Sequence, residues 1–145
     1  MESDPKDVAR IMGGYETLKQ KVMTLGELRR AVEYGLPVEA LDSVVTYVAD
    51  QDERAASELR YRIVPKSTLK RRHRLNAEES QRLERLARIT SLAEQVWEDR
   101  ALAHEFLNSA QPQLGGERPV DLARTDLGAR EVEELLFRIE HALPI

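Results

Sequence analysis

Residues 59–77 include no aspartate or glutamate, yet they hold Arg60, Arg62, Lys66, Lys70, Arg71, Arg72 and Arg74. Cationic side chains at this density repel one another unless an anion shares their surface, and a nucleic-acid backbone is the anion that suits a whole row of them. Within VPKSTLKRRHR (residues 64–74), a helix beginning near Pro65 projects Lys66, Lys70 and His73 or Arg74 along one side and turns Leu69 towards a core. Ser67 and Thr68 in its first turn suit a recognition helix, whose leading side chains and backbone amides meet base edges and phosphates in the major groove. The candidate DNA contacts are Arg62, Lys66, Ser67, Thr68, Lys70, Arg71, Arg72 and Arg74.

Little else in the chain has the spacing of a reactive site. His73, His104 and His141 are far apart and none belongs to a His-Glu-x-x-His pattern, so no metal site is expected. Glu78 with Glu79, and Glu133 with Glu134, are sequence neighbours that point in different directions on a helix and cannot share a reacting atom. Leu114-Gly-Gly-Glu117 lacks the spacing of a phosphate-binding loop and reads as a turn. With no cysteine, thiolate chemistry is excluded, and neither an enzyme nor a cofactor is expected. Trp97, the only tryptophan, falls on an apolar stripe and reads as core, with partner contact as the alternative.

The elements that would hold the basic segment are helices. Thr24 with Glu27 makes a capping box for a helix through Leu28, Ala31 and Val32 that stops at Gly35. Pro37 suits a first helical position, and Val38, Leu41, Val44, Val45 and Val48 then recur at threes and fours. A third helix is predicted from Glu53 to Tyr61, Pro65 interrupts, and a fourth is predicted from Ser67 to His73, a helix-turn-helix arrangement. Arg62 and Ile63 stand where many such turns carry glycine. Asn76 with Glu79 caps a long helix, Asp99 opens another, residues 111–119 form a Pro/Gly loop, and a last helix runs from about Asp126 to Ala142.

Charge divides the chain near Asn76: residues 1–75 carry 14 basic and 12 acidic side chains, residues 76–145 carry 8 and 14. The two parts therefore suit different partners. Aromatics at 5% argue against a β-sandwich, and charged residues at 33% suit helices with one buried stripe. The first residues lack the pattern of a secretory signal and no apolar run spans a bilayer, so a soluble cytoplasmic protein without membrane contact is expected. The expected fold is all-α, with residues 1–23 an N-terminal arm to which no function is assigned, 24–75 a helix-turn-helix domain and 76–145 a second helical domain.

Several segments of the chain carry a family resemblance. LNAEESQRLERLAR (75–88), AHEFL (103–107), QLGGERPVDL (113–122), TDLG (125–128) and VEELLFRIE (132–140), with LKRR (69–72) upstream, resemble the Xre/MbcA/ParS antitoxins of type II toxin-antitoxin systems over residues 24–141. The resemblance implies an Xre/Cro-like helix-turn-helix joined to a C-terminal toxin-binding domain. It implies a RES- or ParT-like toxin partner that consumes NAD, repression of the operon's own promoter DNA, and a homodimer. Expected toxin contacts are Leu114, Gly115, Gly116, Arg118, Pro119, Thr125, Glu133, Leu136, Glu140, Leu143 and Ile145, with the loop, last helix and tail covering the toxin's active site. The alternative is a stand-alone dimeric helix-turn-helix regulator with no toxin partner.

Overall fold

A computed structural model of the chain describes residues 2–66 and 72–142. Nine α-helices follow in order among the described residues: α1 (Pro5–Ile11), α2 (Gly14–Leu18), α3 (Leu25–Tyr34), α4 (Val38–Val48), α5 (Glu53–Ile63), α6 (Ala77–Trp97), α7 (Arg100–Asn108), α8 (Pro119–Leu122) and α9 (Asp126–Glu140), with a 3-10 turn at Pro112–Leu114. The described residues contain no strand, and the expected all-α class holds. Two isolated antiparallel bridges, Pro37 with Arg74 and Gln111 with Glu117, pin loops instead.

The long helix α6 is the spine. It starts where Asn76 Oδ1 accepts from the Glu79 amide at 2.8 Å and Glu79 Oε1 accepts from the Asn76 amide at 2.9 Å, so two otherwise unpaired donors are satisfied. Leu83, Leu86, Ala87, Ile89, Leu92 and Ala93 are buried, and so are the polar Ser80, Thr90 and Ser91, because other helices cover α6 on several sides. Each buried hydroxyl has a partner: Ser80 Oγ accepts from the Leu36 amide at 2.9 Å, Thr90 Oγ1 donates to the Leu86 carbonyl at 2.7 Å, and Ser91 Oγ donates to Asp7 at 2.6 Å.

Helix α3 has the expected Thr24–Glu27 box, and α5, α7 and α9 are capped by Asp52, Asp99 and Thr125. Pro37 is the N-cap of α4 and lies just outside its first turn, where the expectation had it inside. The β-branched run in α4 is helical because Val44, Val45 and Val48 are all wholly buried, and packing overrides their strand preference.

Three features depart from the sequence expectations. Residues 1–23, read as an arm, hold α1 and α2, and Val8, Ala9, Ile11, Met12, Leu18 and Val22 are core. The expected change of domain near Asn76 is crossed by one continuous core that includes Leu36 and Leu75. Of the helix expected from Ser67 to His73, residues 67–71 lie outside the described residues, while residues 72–75 are not helical and lie against residues 36–38: the Leu75 amide donates to the Leu36 carbonyl at 2.8 Å and the Val38 amide to the His73 carbonyl at 3.0 Å. Of the expected helix-turn-helix, the described residues thus include α5 and its sequel to Lys66 and no complete second helix.

A partly buried polar cluster joins the N-terminal helices to the spine and to α7. Glu94 Oε2 accepts from the Tyr47 hydroxyl at 2.5 Å and lies 2.8 Å from His104 Nε2, while Glu94 Oε1 accepts from Arg10 at 3.4 Å. His104 is 1% exposed, and its other ring nitrogen stands 2.9 Å from Asp50 without the alignment of a hydrogen bond. Burial alone raises the Glu94 carboxyl, but the bonds from His104 and Tyr47 outweigh it and hold the group below the usual carboxylate range. Burial, then the same carboxylate, pushes the Tyr47 hydroxyl up.

Two tests follow from this packing. At Gly35, with φ 108°, an added Cβ would stand 2.4 Å from the Leu75 carbonyl oxygen. Gly35→Ala is expected to cost on the order of 1–3 kcal/mol in urea unfolding, because a positive-φ backbone and a close approach both resist it. Gly26→Ala is the control: its added Cβ would meet nothing nearer than the Arg30 side chain at 3.6 Å in a helix, and it should leave stability equal or higher. For Glu94, a folded-state value below the unfolded one means stability present above the ordinary carboxylate range and lost as pH falls through the folded value. Glu94→Gln should cost about 1–3 kcal/mol at neutral pH, and its deficit relative to the native chain should shrink below about pH 4. A deficit that persists undiminished in acid would contradict the role given to the carboxylate.

Candidate partner and nucleic-acid interfaces

The acid-free segment meets its counter-charges in space. Arg60 Nε donates to Asp42 of α4 at 2.8 Å, Arg62 pairs with Asp121 of α8, and Arg72 donates to Glu79 of α6 at 2.6 Å. Arg74 donates to the Gly35 carbonyl at 2.9 Å and lies 4.7 Å above the Tyr34 ring. Lys66 lies 5.8 Å from the Tyr61 ring centroid. Of the eight candidate DNA contacts, Ser67, Thr68, Lys70 and Arg71 lie outside the described residues, and Arg62 and Arg72 are engaged by carboxylates of the second half.

Arg72 does structural work at the spine's first turn. Its bond to Glu79 raises the guanidinium above its ordinary range. Burial by itself raises Glu79, but Arg72 and the Asn76 amide outweigh it and keep the carboxyl low. A lone capping box thereby becomes a three-member network that anchors the end of the basic segment to α6.

The expected toxin contacts divide into supporting and exposed residues. Leu136 is fully buried, Leu114 and Pro119 are buried, and Thr125 is occupied as a helix cap, its Oγ1 accepting from the Gly128 amide at 3.0 Å. The three buried residues hold the surface in shape from beneath, and the exposed Thr125 fixes the first turn of α9. Gly128 does the same by close approach, since a Cβ there would stand against the Leu122 carbonyl. Glu133 faces Arg88 at 3.0 Å, and Arg88 also lies 3.7 Å from Glu84, so this trio forms the seam between α6 and α9. Burial, assisted by Glu133 and opposed by Arg88, pushes the Glu84 carboxyl up.

Gly115, Gly116 and Glu140 are exposed as well, and Arg118 is half-buried with a bidentate bond to Asp121 at 2.9 and 3.1 Å. Gly115 and Gly116, at φ 67° and 81°, take a left-handed path that reverses the loop with open space around both. Leu143 and Ile145 lie outside the described residues.

Sequence reasoning named the last helix but missed the exposed apolar pair, Leu127 and Phe137, on the solvent face of α9. Leu127, Arg130, Glu131, Glu134, Phe137, Arg138 and His141 share it, and Leu127 and Phe137 are 69% and 43% exposed. The signal was available: the buried stripe runs through Val132, Leu135 and Leu136, and both Leu127 and Phe137 fall off that period, on the charged side. A groove lies between this face and the 3-10 turn, lined by Gln113, Leu114, Glu131, Glu134, Leu135 and Arg138. Exposed apolar residues beside a groove with charged walls mark a protein-contact surface. Trp97 packs against Phe106 with ring centroids 5.9 Å apart, so the core reading fits its position.

Among the described residues no group of three or more His, Asp and Glu stands together as a metal cage would, and no helix is long and apolar enough to cross a membrane.

Comparison with known proteins bears on this surface. A family model for the antitoxin Xre/MbcA/ParS C-terminal toxin-binding domain matches residues 92–142. A protein named Antitoxin Xre from Pseudomonas putida is 36% identical over 84 residues, 55% of this chain and 53% of that protein. Another Antitoxin Xre, from Yersinia enterocolitica, is 29% identical over 118 residues, 78% of each chain. The chain thus spans about half the length of the first relative and more than three quarters of the second. The chain is similar to these antitoxins, and residues 92–142 match the C-terminal toxin-binding domain of the Xre/MbcA/ParS antitoxins.

Proposed function

We propose that the protein is an antitoxin that captures and silences a cognate toxin through the solvent face of α9 and the turn at residues 111–117. The observation that carries this reading is the pair Leu127 and Phe137, exposed beside the Gln113–Arg138 groove inside the stretch that matches the toxin-binding domain. The partner is a RES- or ParT-like toxin that consumes NAD, and the antitoxin covers its active site. Negative charge at Glu131, Glu134 and Glu140 steers a basic face of the toxin towards the groove. The protein works in the cytoplasm as a homodimer and represses its own operon by binding promoter DNA through the segment from Arg62 to Arg74. Exposed Lys66 and Arg74, neither paired with a carboxylate among the described residues, support the DNA part of the reading.

Expression of the neighbouring open reading frame tests the antitoxin reading: arrest with loss of cellular NAD, rescued by this protein, is the expected outcome, and no arrest or no rescue contradicts it. The surface is tested by Leu127→Asp with Phe137→Ala, which should weaken capture of that frame's product at least about tenfold while thermal unfolding of the free protein stays near the native value. Leu136→Ala is the contrasting variant. It removes a fully buried side chain, so it should lower stability by about 2–5 kcal/mol and reduce capture only as far as it unfolds the domain.

A further inference from the structure

We propose that the arginines gathered round Asp121 form a phosphate-contacting surface for duplex DNA, which carries the basic segment across onto the toxin-binding domain. The inference rests on the DNA-binding part of the reading above and assigns it residues outside residues 59–77. Arg62 of α5 and Arg118 before α8 both bond the single carboxylate of Asp121. Arg82 of α6 donates to the Ile63 carbonyl at 2.7 Å and to Glu78 at 2.9 Å. Arg85 donates to the carbonyls of Ala123 and Arg124 at 3.0 and 2.8 Å, which fixes the backbone of Arg124 and leaves its exposed guanidinium without a partner among the described residues.

Arg62, Arg82, Asp121 and Arg124 line one cleft, floored by Leu59, Ile63, Leu86 and Val120. Asp121 and Glu78 bond these arginines, and Asp126 and Glu84 offset part of the charge of Arg85, so the five arginines exceed the four carboxylates by one, and burial presses on the charged form of Arg85. An anion at the rim relieves that excess, and forked guanidinium groups on three elements fit the oxygens of successive phosphates. Duplex DNA is favoured over an acidic protein because the cleft is continuous with the acid-free segment: Arg62 belongs to both, and exposed Lys66 follows it closely. Asp121 then acts as the internal competitor for the phosphates.

Fluorescence anisotropy of the full chain against two duplexes, one from upstream of its own gene and one of scrambled sequence, tests the surface between about 50 and 200 mM salt. Arg124→Ala should weaken binding to both duplexes alike and lower the steepness of log K against log salt by about 0.9, one phosphate contact. Arg124→Glu should weaken it further, and Asp121→Asn should tighten it. Since Arg85 bonds only the backbone of residue 124, circular dichroism and thermal unfolding of the Arg124 variants should match the native protein. Native binding with a salt slope indifferent to both Arg124 variants overturns the surface alone. No native binding to either duplex overturns it together with the DNA part of the proposed function. Loss of capture of the neighbouring frame's product by Arg124→Glu, with DNA binding intact, also overturns it and reassigns the cleft to a protein.

Discussion

One carboxylate holds together parts of the chain that are otherwise far apart in sequence. Glu94 receives Tyr47 from α4, His104 from α7 and Arg10 from α1, in a partly buried site that opens to solvent on the Arg10 side. A charge in such a place is stable only if its lone pairs are taken, so each donor must be delivered by its own helix at the right position. The N-terminal helices are fixed by this requirement: Arg10 and Asp7 on α1 reach Glu94 and Ser91, one turn apart on the spine. Arg10 and Arg100 also flank the Tyr47 ring, 5.6 and 4.3 Å from its centroid.

The same spine serves both proposed surfaces. Its first turn fixes the end of the basic segment through Arg72 and Glu79, and its middle fixes α9 through Arg88 and Glu133. The path from the proposed DNA-facing segment to the proposed toxin-facing helix is thus one helix with polar attachments at its first turn and its middle, and the core runs unbroken from Val8 to Leu136. Division of labour by charge does not require division into separately folded units here. A protein of this size buries more of its surface as one core than as two.

What could be read in the sequence was what is written locally. The boxes Thr24–Glu27 and Asn76–Glu79, the helix start at Asp99 and the stop at Gly35 all depend on residues within four positions of one another, and all are present in the structure. Helices α1, α2 and α8 are too short to show a period, and α1 is helical because the spine buries its apolar side. The basic segment looked uniformly unpaired because Asp42, Asp121 and Glu79 approach it from other elements. Leu136 was included as a contact although it lies on the apolar stripe, whereas Leu127 and Phe137, off that stripe, are the exposed pair.

The central claim is that the face of α9 and its adjoining turn meet the toxin while the N-terminal helices do not. Hydrogen-deuterium exchange of the full chain, alone and with the product of the neighbouring reading frame, tests it most directly. The account predicts slowed exchange over residues 111–117 and 127–141 on complex formation, with α1, α2 and α3 unchanged. Protection confined to α1, α2 and α3, with residues 111–141 exchanging as in the free protein, would contradict it.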